Sequence, residues 1–258
     1  MRIVNYPRRN LVKEILVSKP FTSLKELEEK FPDVSSMTLR RDIDFFEKQG
    51  DVIKVRGGAR SMKFITTTME QSFTECMNVN IDAKKIIAQK AVEFFETGRS
   101  IFLDSGTTAL EVANLAENNR LSIITSGPSV AIALSKNDKI MVHLLGGLLS
   151  RDNLSLSGAA SLDYISKINI DVAIIVPSGF SLKDGFTCGN YNECELKEAI
   201  IKKAGRTVML LSSNKIGKSL PYTFCTMDKV SAVITDGPLD DEIIASIKDN
   251  TIDLIIAE

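Results

Sequence analysis

The sequence predicts two folded parts: a small α+β domain of three helices and a two-stranded wing, then an α/β domain with a largely parallel, doubly wound sheet. Two observations carry this prediction. Apolar residues recur at helical spacing up to residue 46, and from about residue 80 strands rich in Val, Ile and Leu alternate with helical stretches. The domains are expected at residues 1–60 and 80–258, with residues 61–79 as a linker.

Three short helices are predicted in the first domain. Ser23 and Glu26 have the spacing of a capping box at the start of the second helix, and Phe31-Pro32 ends that helix. Only Pro32–Ser35 separates it from the third helix, so the two must cross steeply, as in a helix-turn-helix. The apolar faces of the three helices are Leu11, Val12, Ile15 and Leu16; Leu24, Leu27 and Phe31; and Leu39, Ile43 and Phe46.

The face of the third helix opposite its apolar residues carries hydroxyl and guanidinium groups, the donors that proteins direct at phosphates and guanine. From Lys54 to Arg56, basic and apolar side chains alternate before a Gly57-Gly58 turn, which predicts a basic two-stranded wing. Residues 1–60 have a net charge of +4, whereas residues 61–258 have −5, which favours nucleic acid as the partner of the first domain. The predicted DNA-contacting residues are Ser35, Ser36, Met37, Thr38, Arg40 and Arg41 on the helix and Lys54, Arg56 and Arg60 on the wing.

Seven buried strands and six intervening helical stretches are predicted in the second domain. The strands begin at Ser100 and continue with Ser122–Thr125, Ile140–Leu145, Val172–Val176, Val208–Leu211, Ala232–Thr235 and Leu254–Ala257. The helical stretches are Lys84–Phe95, Thr108–Ala116, Val130–Leu134, Ala159–Ile168, Glu195–Ala204 and Asp241–Ile247. This alternation is typical of a parallel sheet covered by helices on both faces.

Small polar residues or glycine follow several of these strands, and the carboxyl ends of parallel strands meet at one edge of a sheet. The segment 104–108, Asp-Ser-Gly-Thr-Thr, is the most informative, because its glycine, hydroxyls and helix start suit an anion such as a phosphate. Lys215 would add a positive charge, and Asp104 would accept hydrogen bonds from sugar hydroxyls. The alternative is that this segment is only a capped turn between a strand and a helix.

The run Val34–Ile43, with Phe46, Gly50 and Gly57-Gly58-Ala59, resembles the winged helix-turn-helix of DeoR-type bacterial transcription regulators. The second domain is similar to the effector domain of the same regulators, whose fold is similar to that of ribose-5-phosphate isomerase and the CoA transferases. The matching pieces are Asp104–Thr108, Gly146-Gly147, Ser157-Gly158, Asp171, Asp184–Thr187, Glu195-x-Lys197 and Ser213-x-Lys215. The expected effector-binding residues are Asp104, Ser105, Gly106, Thr107, Thr108, Thr125, Gly146, Gly147, Ser178, Asp184, Glu195, Lys197 and Lys215.

The resemblance implies a DNA-binding transcriptional regulator, a repressor of a carbohydrate-catabolism operon that a phosphorylated sugar or a related small anionic metabolite relieves. Its partners are then operator DNA and that metabolite, and a homodimer or homotetramer is expected because helix-turn-helix modules work in pairs on half-sites. Neither a cofactor nor a metal is expected, and the chain is predicted not to be an enzyme. The family implies a bacterial cytoplasm.

Two enzymatic alternatives remain open. A sugar-phosphate isomerase with a fused helical appendage would use Asp104, Asp171, Asp184 or Glu195 as its base. A CoA-transferase-like enzyme would use Glu193 or Glu195 as nucleophile. An isomerase has no use for a basic wing, so the front domain favours the regulator.

Composition excludes other classes of protein. The 258 residues are 44% hydrophobic, with a mean hydropathy of +0.04, which is typical of a soluble globular protein. No run of about 18 apolar residues and no secretory signal is present in the sequence, so the cytoplasm is expected. The four cysteines lack metal-site spacing and are interpreted as reduced thiols. His143, the single histidine, lies in an apolar run and is interpreted as a strand residue with a satisfied imidazole.

Overall fold

The computed structural model describes residues 7–19, 21–48, 51–61, 72–117 and 119–257. The chain divides into two compact units, Met1–Thr67 and Thr68–Glu258. Within the described ranges, no helix is both long and apolar enough to cross a bilayer.

The first unit contains three helices and a small antiparallel sheet. The helices are α1 (Pro7–Val17), α2 (Leu24–Lys30) and α3 (Ser36–Lys48), and the strands are β1 (Phe21–Ser23), β2 (Val52–Val55) and β3 (Gly58–Ser61). The sheet order is β1-β3-β2, with Phe21 opposite Arg60. The predicted winged helix-turn-helix is confirmed, but its sheet has three strands instead of two.

The third strand follows from a close approach of two backbones. A Cβ on Gly58 would lie 2.1 Å from the carbonyl oxygen of Thr22, so only glycine lets β1 and β3 meet there. Ser23, the last residue of β1, also caps α2, since its hydroxyl accepts the N–H of Glu26 at 3.1 Å. The Glu26 carboxylate contacts Lys19, so the predicted capping box is formed only from the Ser23 side.

The second unit begins with α4 (Phe73–Met77), whose N-cap Ser72 forms a capping box with Glu75. Part of the predicted linker, residues 62–71, lies outside the described residues, and α4 lies in the described part. The predicted domain boundaries stay a prediction. The other helices are α5 (Ile81–Ala91), α6 (Thr107–Leu115), α7 (Pro128–Leu134), α8 (Ala159–Ser166), α9 (Tyr191–Lys203) and α10 (Asp241–Asp249).

Twelve further strands are described in this unit, in a main sheet and two small antiparallel groups. They are β4 (Ser100–Leu103), β5 (Leu121–Thr125), β6 (Ile140–Leu144), β7 (Leu148–Leu149), β8 (Leu156–Ser157), β9 (Ile170–Ile175), β10 (Gly179–Ser181), β11 (Gly185–Cys188), β12 (Ala204–Leu210), β13 (Tyr222–Cys225), β14 (Ala232–Thr235) and β15 (Asp253–Ile256).

The main sheet has seven strands in the order β15-β14-β12-β9-β4-β5-β6, and every neighbouring pair is parallel. Helices α5, α6 and α7 cover the face that bears Ile101 and Ile123. Helices α8, α9 and α10 cover the face that bears Phe102 and Ile124. The prediction of a doubly wound sheet is therefore confirmed.

The strand order reverses between β4 and β9, because the chain builds outward from β4 to β6 and then returns to place β9 on the other side of β4. Open α/β sheets bind their ligands in the crevice at the carboxyl ends of two such strands. The segment 104–108 leaves β4 at this point, so the fold places the predicted anion loop where a ligand is expected.

Candidate functional site

In the first unit, Ser35 and Thr38 fix the start of α3. The Ser35 hydroxyl accepts the N–H of Thr38 at 3.3 Å and lies 2.9 Å from the Thr38 hydroxyl. Ser36 and Met37 are exposed in the first helical turn, with Met37 at 61%. Arg40 and Arg41 follow and are also exposed, whereas the predicted core residues Leu39, Ile43 and Phe46 are buried.

A buried carboxylate holds α3 against α1. Asp42 is 1% exposed, and its two oxygens lie 2.9 Å from the guanidinium groups of Arg8 and Arg9. The Arg9 guanidinium also lies 4.3 Å from the ring centroid of Phe45. Sequence reasoning missed Asp42, although its spacing from Leu39 places it on the buried face of the helix.

Lys54 ties the wing to α3. Its ammonium lies 2.5 Å from Asp44, and its backbone N–H donates to Glu47 at 2.8 Å. Arg56, beside the turn at Gly57 (φ +88°), and Arg60 are exposed. The first unit therefore exposes arginines both at the start of α3 and on the wing, which suits a helix in the major groove with flanking contacts to phosphates.

In the second unit, Asp104 spans the two strands of the switch point. Its carboxylate accepts the N–H of Ser105 at 2.8 Å, the N–H of Val176 at 2.9 Å and the ammonium of Lys197 at 2.9 Å. Asp104 is 2% exposed. The carboxylate thus joins the end of β4 to the residue that follows β9 and fixes the start of the loop.

The loop after Asp104 ends in the N-terminus of α6. Gly106 is the N-cap residue, with φ +92° and no side-chain cap, and a Cβ there would meet no atom within 4 Å. Helix geometry leaves the N–H groups of Thr107 and Thr108 without an acceptor inside α6. These donors at the positive end of the helix dipole, beside open space, suit a phosphate. Thr125 steadies the loop by donating to the Asp104 carbonyl at 3.3 Å.

Lys197 completes a buried ion cluster. Its ammonium lies 2.9 Å from Asp104, 2.8 Å from Glu193 and 2.7 Å from the carbonyl oxygen of Val176, so its three donors are all engaged. Burial by itself lowers the pKa of Lys197, but the charges of Asp104 and then Glu193 outweigh burial and raise that pKa above the ordinary value. The ammonium is therefore charged and directed at protein acceptors.

Glu193 and its neighbours are residues that sequence reasoning did not include in the effector site. Its second carboxylate oxygen accepts the side-chain amide of Asn153 at 2.5 Å, and the Ser155 hydroxyl donates to Asn153 at 2.8 Å. Glu193 and Lys197 are four residues apart on α9, a spacing from which their ion pair could have been predicted. Nothing in the sequence marked Asn153, because it joins the cluster only through the fold.

Other predicted effector residues lie near the same strand ends. The Lys215 ammonium donates to the Pro177 carbonyl at 2.6 Å, and the Gly146 carbonyl accepts the Ser161 hydroxyl at 2.5 Å. Gly147 has φ +133°, and a Cβ there would lie 2.3 Å from the carbonyl oxygen of Ser157. Ser178 follows β9, and its N–H donates to the carbonyl of Thr187 at 3.0 Å.

Two predicted effector residues have contacts away from this cluster. Asp184 lies in the turn between β10 and β11, where hydrogen bonds from Ser219 and then Ser181 lower its pKa. Glu195 is two residues from Lys197 on α9, hence on the opposite side of the helix. It accepts the hydroxyl of Tyr191 at 3.3 Å. The structure thus brings Asp104, Lys197 and the 105–108 loop together and places Asp184 and Glu195 elsewhere.

The cysteines and the histidine have structural environments. Burial raises the pKa of Cys194 to about 11 and that of Cys225 to about 12, so both are thiols at neutral pH.

His143 is a β6 residue whose Nδ1 lies 2.8 Å from the Tyr164 hydroxyl, as the sequence predicted. In the part of the chain that the structure describes, no group of three or more His, Cys, Asp or Glu side chains could hold a metal ion.

A winged helix-turn-helix with a basic face, followed in the same chain by an α/β domain with a helix N-terminus at its switch point, defines a DNA-binding transcription regulator with a sensor domain. Residues 8–64 match the family model of the DeoR-like helix-turn-helix domain, and residues 79–237 match that of the DeoR C terminal sensor domain. The chain therefore belongs to the DeoR family of transcriptional regulators. It is a DNA-binding regulator and not an isomerase.

Relatives agree with this assignment. The HTH-type transcriptional regulator GolR of Listeria innocua is 30% identical over 254 residues, 98% of this chain and 99% of that protein. The regulator IolR of Bacillus subtilis is 32% identical and covers 90% and 91% of the two chains. The glycerol-3-phosphate regulon repressor of Escherichia coli is 28% identical and covers 96% and 97%. Among solved structures, ribose 5-phosphate isomerase A of Methanocaldococcus jannaschii is similar over 54% of this chain and 56% of its own, with 16% identity and a TM-score of 0.40. This similarity is too distant to bear on function.

Replacing Lys197 tests the energetic role of the ion cluster. Lys197→Met leaves two carboxylates buried without their counterion, which is expected to lower the free energy of unfolding by about 3–5 kcal/mol. Folding raises the pKa of Lys197. The contribution of this lysine to the free energy of unfolding is therefore complete below its ordinary pKa of 10.5, and it is lost only as the pH rises through the higher pKa of the folded state. Urea unfolding at pH 8 measures the difference.

The exposed Lys202 on the same helix provides the control, and Lys202→Met is expected to change the free energy of unfolding by less than about 0.5 kcal/mol. Equal stability of the two variants would contradict the assigned role of the cluster.

Proposed function

We propose that the chain represses a carbohydrate-catabolism operon and is released from its operator when a phosphorylated sugar or related small anionic metabolite binds the second unit. The observation that carries this proposal is the N-terminus of α6 at the switch point, where Gly106 borders open space beside the fixed carboxylate of Asp104. The names of two relatives support it: the glycerol-3-phosphate regulon repressor and a putative aga operon repressor of Escherichia coli. We place this activity in the bacterial cytoplasm, where operator DNA is accessible.

The anion is proposed to bind the backbone N–H groups of Thr107 and Thr108, with the hydroxyls of Ser105 and Thr108 close by. Lys197 and Asp104 shape this loop rather than contact the ligand, because their hydrogen bonds are already directed at each other and at the backbone. Direct effector contacts by Thr125, Gly146, Gly147, Ser178, Asp184, Glu195 and Lys215 stay predictions.

Operator contacts are proposed for the exposed start of α3 and for the wing. Arg40 and Arg41 supply bidentate donors, whereas Ser35 and Thr38 hold the helix start in place through their mutual hydrogen bonds. Arg56 and Arg60 of the wing are proposed to contact phosphates. Met37, 61% exposed at the same end of α3, supplies an apolar contact for a base edge.

We further propose a homodimer that pairs through the edge strand β6. This strand, Ile-Met-Val-His-Leu, has no charged residue, and Met141 and Leu144 are 63% and 45% exposed. Edge strands of monomers are usually protected by charges, as the opposite edge strand β15 is by Asp253. A second copy can complete β6 about a two-fold axis, which also supplies the paired reading heads that a palindromic operator needs.

The dimer proposal is tested by Leu144→Lys. A lysine at this edge places like charges across the two-fold axis, so the variant is expected to be a monomer at a concentration where the wild type is a dimer by light scattering. The control is Ile256→Lys, since Ile256 has a similar exposure (42%) on β15 and should leave the dimer intact. A Leu144→Lys variant that remains dimeric would exclude β6 as the interface.

The operator contacts are tested by Arg40→Ala with Arg41→Ala. Loss of two guanidinium contacts should weaken operator binding by at least about 30-fold and reduce the dependence of log Kd on log salt by about 2. Electrophoretic mobility shifts at several salt concentrations measure both. Lys25→Ala, on the exposed surface of α2, is the control and should bind normally. Operator binding by the double variant at wild-type affinity would refute the assigned DNA surface.

The anion loop is tested by Gly106→Ala. Alanine rarely adopts the φ of +92° found at Gly106, so the loop must change shape, and the thermal stabilisation by the effector should disappear while operator binding remains. The probes are glycerol 3-phosphate, ribose 5-phosphate and glucose 6-phosphate. Gly98→Ala is the matched control, because Gly98 has φ +83° and equally open surroundings. Retention of the effector response in Gly106→Ala would show that the ligand binds elsewhere.

A further inference from the structure

A chain of hydrogen bonds leads from the buried ion cluster to a loop outside it. One oxygen of the Glu193 carboxylate accepts from Lys197 at 2.8 Å, and the other accepts from the side-chain amide of Asn153 at 2.5 Å. Glu193 is only 4% exposed. This carboxylate therefore joins Lys197, and through it Asp104, to the segment that carries Asn153.

That segment, residues 150–156, is a tight turn held at several points. The N–H of Ser150 donates to the Ser155 carbonyl at 2.8 Å, and the N–H of Leu156 donates to the carbonyl of Ser126, at the end of β5, also at 2.8 Å. Leu154 has φ +49°, which is unfavourable for a residue with a side chain. The turn thus keeps a strained residue in place through the contacts of its neighbours, which makes its shape sensitive to the Asn153 bond.

The same turn contacts the first helix of the second unit. The carbonyl of Asp152 accepts the N–H of Phe73, the first residue of α4, at 2.5 Å. Phe73 follows closely after Thr68, where the second unit begins along the chain. α4 also contacts α6, the helix that begins at the anion loop. Asn153 therefore lies between the ion cluster and the element that enters this unit from the DNA-binding side of the sequence.

We propose that Glu193 and Asn153 are positioning residues that transmit occupation of the anion loop to α4 and so couple effector binding to the start of the second unit. This rests on the proposed function, since it needs an anion at Thr107 and Thr108. Negative charge placed there lies beside Asp104 and attracts the Lys197 ammonium. Because two carboxylates share that ammonium, its displacement changes the charge that Glu193 presents to Asn153.

The test is hydrogen exchange of the full chain with and without inorganic phosphate, the part common to all sugar phosphates. In the wild type, phosphate is expected to protect the amides of Thr107 and Thr108 and to change the exchange of residues 73–77. Asn153→Ala removes the donor to Glu193, and Asn153→Asp replaces it with a carboxylate of the same shape. In both variants, protection of the loop should persist, but the change at residues 73–77 should fall by about threefold or more.

Asn119→Ala is the matched control, because the Asn119 amide also donates to a glutamate, Glu117, but on the surface at 3.4 Å. This variant should respond as the wild type does. An undiminished response of residues 73–77 in both Asn153 variants would overturn the proposal and leave the α4–α6 contact as the route. Absence of phosphate protection at Thr107 and Thr108 in the wild type would overturn the anion site itself, and the proposal with it.

Discussion

The second unit depends on the ion cluster of Asp104, Lys197 and Glu193, buried where the strand order of the sheet reverses. Two carboxylates and one ammonium are costly to bury, so the cluster persists only because every donor of the lysine is satisfied at once. Asp104 uses its remaining hydrogen bonds to fix the residues that follow β4 and β9. The result is a loop whose N–H groups without a helical acceptor belong to the backbone of α6, so the donors offered to an anion are in place before it binds.

The first unit also contains a buried carboxylate that cationic side chains neutralise. Asp42, buried within the apolar face of α3, is neutralised by Arg8 and Arg9 of α1, and these ion pairs hold the helix that carries Arg40 and Arg41 against α1. Both units therefore position a proposed binding element by means of an internal carboxylate. Neither carboxylate is available to a ligand, and both are best understood as supports for the residues next to them.

The main elements could be predicted from the sequence because the strands of the main sheet are short runs rich in Val, Ile and Leu, and the inner strands are buried on both faces. The strands β7, β8, β10, β11 and β13 have only two to four residues, and their pairing is set by the fold rather than by alternation, so they were not predicted. Of the site, the 104–108 loop was recognisable from its residues, whereas Lys197 was expected only from the family resemblance. The helical spacing of Glu193 and Asp42 is compatible with a buried position, but charged residues are usually exposed, so neither was predicted to be buried. Asn153 had no local signal, because its partner is 40 residues away.

The size of the available interactions fits the regulation proposed. A ligand shifts an equilibrium only by the difference in its affinity for two states, and effector coupling is typically about 1–3 kcal/mol. One hydrogen bond to a charged group contributes about 1.5–3 kcal/mol. A single charge-assisted bond such as that between Glu193 and Asn153 therefore has enough energy to carry the whole coupling, without any rearrangement of the seven-stranded sheet. The strained backbone at Leu154 adds to this, since a residue held at φ +49° supplies part of the energy for a change of shape when its neighbour's bond weakens.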